Sequence, residues 1–199
     1  MNEKKALRQR MIRLRDKLTL EWRDHASHAI TEHINYDLLD LQLHLDGQLH
    51  LDGALVAGYL PLGSETDPSP VMRYFTRAGS HLCLPFTHKN HLSYHHYSFG
   101  DELLKSGFGT KAPDPMSISV RPDILLVPLV AFDATGARIG WGKGYYDRSI
   151  SNLKTDGQPL LTIGIAYSVQ QVDFILSEPH DIPLNYVATE AGFICCNNA

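Results

Sequence analysis

Leu7, Met11, Leu14 and Leu18 recur at i, i+4, i+7 and i+11, a spacing that lines one face of a helix. Trp22, Ala26, Ala29, Ile30 and Ile34 form a second stripe of the same period, and Thr19 between the two suits an N-cap. The pattern predicts helix from the amino terminus through Ile34 with one break. From Ala54 the period changes. Short apolar runs predict strands over Ala54–Leu60, His81–Pro85, Leu92–Ser98, Ile124–Val130, Leu160–Ala166 and Tyr186–Ile194. Between them Asp67–Ala78 reads as a helix, with prolines near its start and Gly79 past its end. Another helix is expected over roughly Tyr145–Lys154. Such alternation predicts a three-layer α/β/α fold with a mostly parallel sheet, preceded by two N-terminal helices. Ligands gather beyond the carboxyl ends of strands in such sheets. Tyr59–Glu65 and Ala131–Gly144 both follow predicted strands, so they are expected to meet over one crevice.

Composition narrows the class without naming it. A chain of 199 residues, 43% hydrophobic and 20% charged, is expected to form one globular domain, 1–199. A net charge of −4 gives no overall attraction to nucleic acid. The distribution is uneven, because Lys4, Lys5, Arg8, Arg10, Arg13, Arg15 and Lys17 face only Glu3 and Asp16 in the first predicted helix. For Arg10, Arg13 and Lys17 a solvated helix face is explanation enough. No apolar run approaches the ~20 residues of a membrane span, and no apolar segment follows the charged start, so a secretory signal is not expected. The three cysteines, Cys83 and the adjacent Cys195 and Cys196, form no framework, and a reducing cytoplasm is the expected setting. His81, His88, His91, His95 and His96 lack the compact spacing of a zinc site. The tract Leu41–Gly53 reads as a local duplication of unknown role.

The chemistry concentrates in residues 138–148, Arg-Ile-Gly-Trp-Gly-Lys-Gly-Tyr-Tyr-Asp-Arg. Gly140, Gly142 and Gly144 at every second position allow a backbone to press against a ligand. Lys143 stands among them, with Arg138 and Arg148 at the ends. A strand, a glycine loop and a helix start together offer free N–H groups and the positive end of a helix dipole to an anion, and phosphate is the natural guest. Neither Walker A nor the dinucleotide fingerprint fits: Ala137 stands where Walker A has its first glycine, and the glycines follow Gly-x-Gly-x-Gly. The plain alternative is a glycine-rich turn carrying solvated basic residues. Lys4, Lys5 and Arg8 lie in the first turns of a helix, where positive charge opposes the dipole and suggests a nearby anion.

Arg138-Ile-Gly-x-Gly-Lys-Gly-Tyr-Tyr-Asp-Arg148, entered from Leu126-Val-Pro-x-x-Ala-Phe-Asp133, closely resembles the signature of the 5-formyltetrahydrofolate cyclo-ligase family, also called methenyltetrahydrofolate synthetase. Lys4-Lys5-Ala-Leu-Arg8, Glu65 and Glu178-Pro-His-Asp-Ile-Pro-Leu-Asn185 match in the same order, so the resemblance covers nearly the whole chain. It implies ATP contact by Lys4, Lys5, Arg8, Arg138, Gly140, Gly142, Lys143, Gly144, Tyr145 and Tyr146. It implies folate contact by Leu60, Glu65, Trp141 and Tyr145, Glu65 being suited to hydrogen-bond an amino-pyrimidine edge. Asp147 and Asp181 match the family's Mg²⁺ ligands, and Lys143 and Arg148 would carry the catalytic charge. The implied activity is ATP- and Mg²⁺-dependent closure of 5-formyltetrahydrofolate to 5,10-methenyltetrahydrofolate, through a phosphorylated formyl oxygen, with ADP and phosphate released. A monomer without nucleic-acid or membrane partners is expected. The rivals are another phosphate-ester enzyme on a similar frame, such as a sugar-phosphate isomerase, and an anion- or RNA-binding module built on the basic amino terminus.

Overall fold

The computed structural model describes residues 3–44, 50–155 and 157–196. Helix α1 spans Glu3–Arg15 and α2 spans Leu20–His44. Thr19 caps α2 as the spacing predicted, its Oγ1 accepting the Trp22 N–H at 3.2 Å and its carbonyl the Arg23 N–H at 3.0 Å. The second helix outruns its apolar stripe and continues to His44. The duplicated tract therefore begins inside α2. Its middle, 45–49, lies outside the described residues, and Leu51 beyond it packs against the core.

Strands β1 (Leu55–Ala57), β2 (His81–Thr87), β3 (Leu92–Tyr97), β4 (Ser119–Val120), β5 (Ile124–Pro128), β6 (Leu161–Ile165), β7 (Tyr186–Thr189) and β8 (Gly192–Cys195) form one sheet. Their order is β8-β7-β6-β5-β1-β2-β3-β4. The middle of the sheet, β7 through β2, is parallel, and β8, β3 and β4 are antiparallel edges. The predicted run Tyr186–Ile194 is thus two strands. Glu190 and Ala191 turn it back, and Thr189 pairs with Gly192. Strand β4 is only a two-residue segment, too short to leave a period in the sequence.

Helix α3 (Ser69–Arg77) connects β1 to β2, and α4 (Tyr145–Lys154) precedes β6. Strand β5 shows why the sheet is central. Ile124 and Leu126 join one core with Ile30 and Ile34 of α2 and Phe75 of α3, while Leu125 and Val127 join a second with Ile150 of α4. Burial of both faces explains the unbroken apolar run, and each such side chain contributes about 1.5–3 kcal/mol.

Helix α1 covers neither face. Met11 packs with Val130, Ala131, Ala137, Ile139 and Ile175, across a small ladder in which Ala131–Phe132 pairs with Arg138–Ile139. This ladder lies between β5 and the glycine loop, where the sequence suggested a direct passage. Its position sets α1 over the carboxyl end of β5. No helix among the described residues is long and apolar enough to cross a membrane.

Candidate active site

A cleft of about 790 Å³ opens beyond the carboxyl ends of β1, β2 and β5. The segment after β1 supplies Tyr59, Leu60 and Glu65, the end of β2 supplies Pro85 and Thr87, and β5 supplies Pro128. Arg138 and the glycine loop through Asp147 form the facing wall, with Lys4 and Arg8 of α1 and Asp181 closing one end. The two segments expected to share a crevice do so.

The loop's conformation follows from its glycines. Gly142 (φ 90°) and Gly144 (φ 64°) occupy the left-handed region. A Cβ on Gly142 would stand 3.1 Å from the Arg8 guanidinium. Gly140 does not need positive φ. Its carbonyl accepts the Arg8 Nε–H at 2.6 Å, which ties α1 to the loop. Gly144 caps α4 without a side chain, so no side-chain cap closes the helix's first turn. Lys143 is exposed at the rim. Among the described residues Lys143 makes no ion pair, so the loop offers a cation and an open helix start at the cleft.

Glu65 is buried, with 6% of its surface exposed. Its Oε2 accepts the Leu62 N–H at 2.8 Å and its Oε1 accepts the Trp141 Nε1–H at 2.7 Å. Burial pushes this carboxyl above the ordinary range, against the opposing pull of the Leu62 amide, the Trp141 indole and the Arg15 charge. Leu60 lines the cleft and packs against the first core. Tyr146 also lines it, and burial raises its phenol well above the usual value.

Several predicted residues have protein partners that sequence could not supply. Arg138 is nearly buried, donating from NH1 to the Ile182 carbonyl and from NH2 to Asp147 Oδ1 at 2.7 Å. Its charge is thus paired with Asp147, and it still lines the cleft. Lys4 pairs with Asp181 Oδ2 at 2.6 Å and Glu178 at 3.1 Å, so the anion anticipated beside the start of α1 includes two carboxylates of the chain itself. Against the cost of burial, these contacts raise the Lys4 ammonium and hold Asp181 below the ordinary carboxylate range. Lys5 is exposed and outside the cleft lining. Arg148 turns outward, donating to the carbonyls of Asn90 (2.8 Å) and Lys143 (2.9 Å), and borders a separate depression with Lys89, Asn90, Lys143 and Tyr145. Tyr145 reaches both places, its hydroxyl donating to the Lys89 carbonyl at 3.0 Å.

Among the described residues no group of three or more His, Cys, Asp or Glu side chains could hold a metal. Mg²⁺ asks for less, one or two carboxylates with water and phosphate oxygens completing the shell. Asp147 and Asp181 fit that demand. Both bonds to Asp147 end on Oδ1 and both bonds to Asp181 end on Oδ2. Among the described residues the opposite oxygen of Asp147 is open to a cation, and Asp181 Oδ1 has His180 Nε2 at 3.8 Å.

Sequence reasoning passed over Arg15, which is fully buried, and Ser64, to which it is bonded at 3.0 Å. The signal was there for Arg15: it lies four positions after Met11, on the same helix face, and these are the buried residues of α1. Lys111, a further cation in the lining, comes from the short ladder of Leu104–Lys105 with Lys111–Ala112 and had no local signal.

Comparison with known proteins bears on the fold and the family. The chain is 36% identical over 145 residues to the 5-formyltetrahydrofolate cyclo-ligase of Escherichia coli (strain K12), covering 67% of this chain and 76% of that one. It is 28% identical over 189 residues to the enzyme of that name from Haemophilus influenzae, covering 92% and 95%. Among solved structures, the 5,10-methenyltetrahydrofolate synthetase of Aquifex aeolicus superposes with a TM-score of 0.73 at 26% identity, over 98% of this chain and 94% of that one. The synthetase of Mycoplasma pneumoniae shares the fold, with a TM-score of 0.68 at 23% identity, over 94% and 99%. Residues 1–190 match the 5-formyltetrahydrofolate cyclo-ligase family from end to end of the site just described, and the chain belongs to that family.

Proposed function

We propose that this protein, acting as a single domain over 1–199, closes 5-formyltetrahydrofolate to 5,10-methenyltetrahydrofolate at the expense of ATP. The observation that carries the reading is the meeting of the Lys143 glycine loop and the buried Glu65 carboxylate in one cleft. The first suits a phosphate and the second an amino-pyrimidine. The cleft volume falls within the roughly 300–1,000 Å³ of small-molecule sites.

The chemistry accounts for the residue types. A formamide is a poor electrophile, and direct closure would expel hydroxide or oxide. Attack of the formyl oxygen on the γ-phosphorus of ATP releases ADP and leaves an iminium phosphate. The folate N10 then adds to the activated carbon and loses its proton, and the C–O bond breaks to release phosphate carrying the former formyl oxygen. The protein's part is positioning and charge stabilisation, with no protein nucleophile. Lys143 and the amides at the start of α4 hold the transferred phosphoryl. Arg8 closes over the nucleotide from α1, and Arg138 keeps Asp147 oriented. Trp141 and Tyr145 offer flat walls, and Glu65 orients the pterin. Asp147 and Asp181 would hold Mg²⁺, which when bound neutralises phosphate charge and favours in-line geometry.

The test is the absorbance of methenyl product formed from 5-formyltetrahydrofolate, with and without Mg·ATP. ATP-dependent turnover abolished by a chelator is expected. Folded protein without ATP-dependent turnover overturns the reading, and phosphate-ester turnover indifferent to chelator would favour a sugar-phosphate isomerase.

A further inference from the structure

We propose that Arg15 is a positioning residue for the folate end of the cleft, fixing the Glu65 loop and presenting the positive charge that faces the Glu65 carboxylate. The inference rests on the functional reading above and deepens it.

Arg15 is 1% exposed, an extreme position for a guanidinium. Its Nε donates to Ser64 Oγ at 3.0 Å, and its NH1 donates to the Leu129 carbonyl at 3.2 Å. The Ser64 hydroxyl in turn donates to Asp16 Oδ1. Arg15 at the end of α1 and Asp16 just after it thus clasp one hydroxyl from its acceptor and donor sides, and Ser64 is the residue before Glu65. Leu129 belongs to the turn after β5, whose carbonyl also accepts from Gln170 Nε2 at 2.8 Å. One buried side chain therefore joins both strand-end loops. The Arg15 guanidinium also lies 5.9 Å from the centre of the Trp141 ring, the indole that donates to Glu65.

Charge follows the same geometry. The group that most favours charged Arg15 against burial is Glu65, ahead of Tyr59, Asp16 and Tyr167. In return Arg15 favours ionised Glu65, against a burial that favours the neutral acid. The groups facing Glu65 from the surrounding elements are Arg15 of α1, Tyr59 after β1, Trp141 of the glycine loop and Tyr146 of α4. Only Arg15 among these brings positive charge. A protonated Glu65 would turn one of its two acceptor oxygens into a donor and lose the charge that strengthens a hydrogen bond from an amino-pyrimidine edge. A buried cation hydrogen-bonded to neutral oxygens, with Glu65 as its largest favourable charge partner, has a purpose that packing alone does not explain.

The experiment uses the full chain and begins with wild type, whose ATP-dependent turnover of 5-formyltetrahydrofolate establishes the underlying reading. Its absence would sink that reading before Arg15 is reached. Given wild-type turnover, Arg15→Met is expected to raise the folate KM on the order of tenfold, the scale of one lost interaction with a charged group. The ATP KM should stay within about twofold on the same scale. The acid limb of kcat/KM for folate should move to higher pH, because Glu65 then ionises later. Arg15→Lys, which keeps the charge and loses the fork, should raise the folate KM with the acid limb in place. In a Glu65→Gln background, Arg15→Met should change the folate KM by less than about twofold, since residues acting as a unit are non-additive. Equal rises in both KM values, or full additivity with Glu65→Gln, would overturn the proposal and leave Arg15 a support of the fold. If Arg15→Met does not fold by circular dichroism, Ser64→Ala carries the test: a folate-selective KM rise supports the clasp, and no selective change refutes it.

Discussion

Trp141 and Glu65 stand 76 positions apart and are joined by a 2.7 Å hydrogen bond from the indole Nε1–H to Oε1. This bond connects the glycine loop to the loop after β1 across the mouth of the cleft. Glu65→Gln keeps an acceptor for one donor and removes the charge. It is expected to raise the folate KM more than the ATP KM in steady-state kinetics. A selective effect on ATP instead would put the carboxylate on the nucleotide side.

Lys143 is exposed at the rim, so its removal disturbs little packing. Lys143→Ala is expected to lower turnover by roughly 10²–10³-fold, the scale of one preorganised charge-stabilising group. Its melting temperature should match wild type. Turnover within about threefold of wild type would mean that the lysine is only solvated.

Asp147→Asn and Asp181→Asn should each raise the Mg²⁺ concentration needed for half-maximal turnover. The double variant should lose much less than the combined losses of the singles. Their stabilities should differ. Asp147 balances a nearly buried Arg138, and weakening that pair should cost about 1–3 kcal/mol. Asp181 pairs with a more accessible Lys4, where about 0–1 kcal/mol is expected. Additive kinetic losses with unchanged Mg²⁺ dependence would mark both as structural carboxylates.

The Lys4–Asp181 pair also sets a pH window. Asp181 is held below its ordinary value, so its contribution is present above that value and disappears as pH falls through the folded pKa. Lys4 is raised, so its contribution is complete below its ordinary value and disappears as pH climbs through the folded pKa. Lys4→Met should therefore be less stable than wild type between the ordinary values of 3.8 and 10.5. Thermal unfolding across pH should show the gap narrowing at both ends. A gap independent of pH would mean that packing of the lysine stem, rather than the pair, supplies the effect.

The sequence by itself determined the elements whose causes are local. Helix α4 begins at Tyr145 and ends at Lys154 as predicted, because a glycine at its entry and the apolar spacing behind it act within a few residues. Thr19 caps α2 for the same reason. The glycine loop and its lysine were legible because free amides, absent Cβ atoms and a single cation are properties of a short segment. Where local signals were weak the reading lost detail: Glu190 and Ala191 turned one predicted strand into the β7–β8 hairpin. Tertiary structure alone decided the partners. Placing β1 beside β5 brings Glu65 to Trp141, and the packing of α1 over the ladder after β5 brings Lys4 to Asp181 and Arg15 to Ser64. That packing leaves Arg148 outside the cleft and matches Arg138 with Asp147. A charged side chain's partner is set by which surfaces the sheet order and core packing press together, and no spacing along the chain encodes a distance across it.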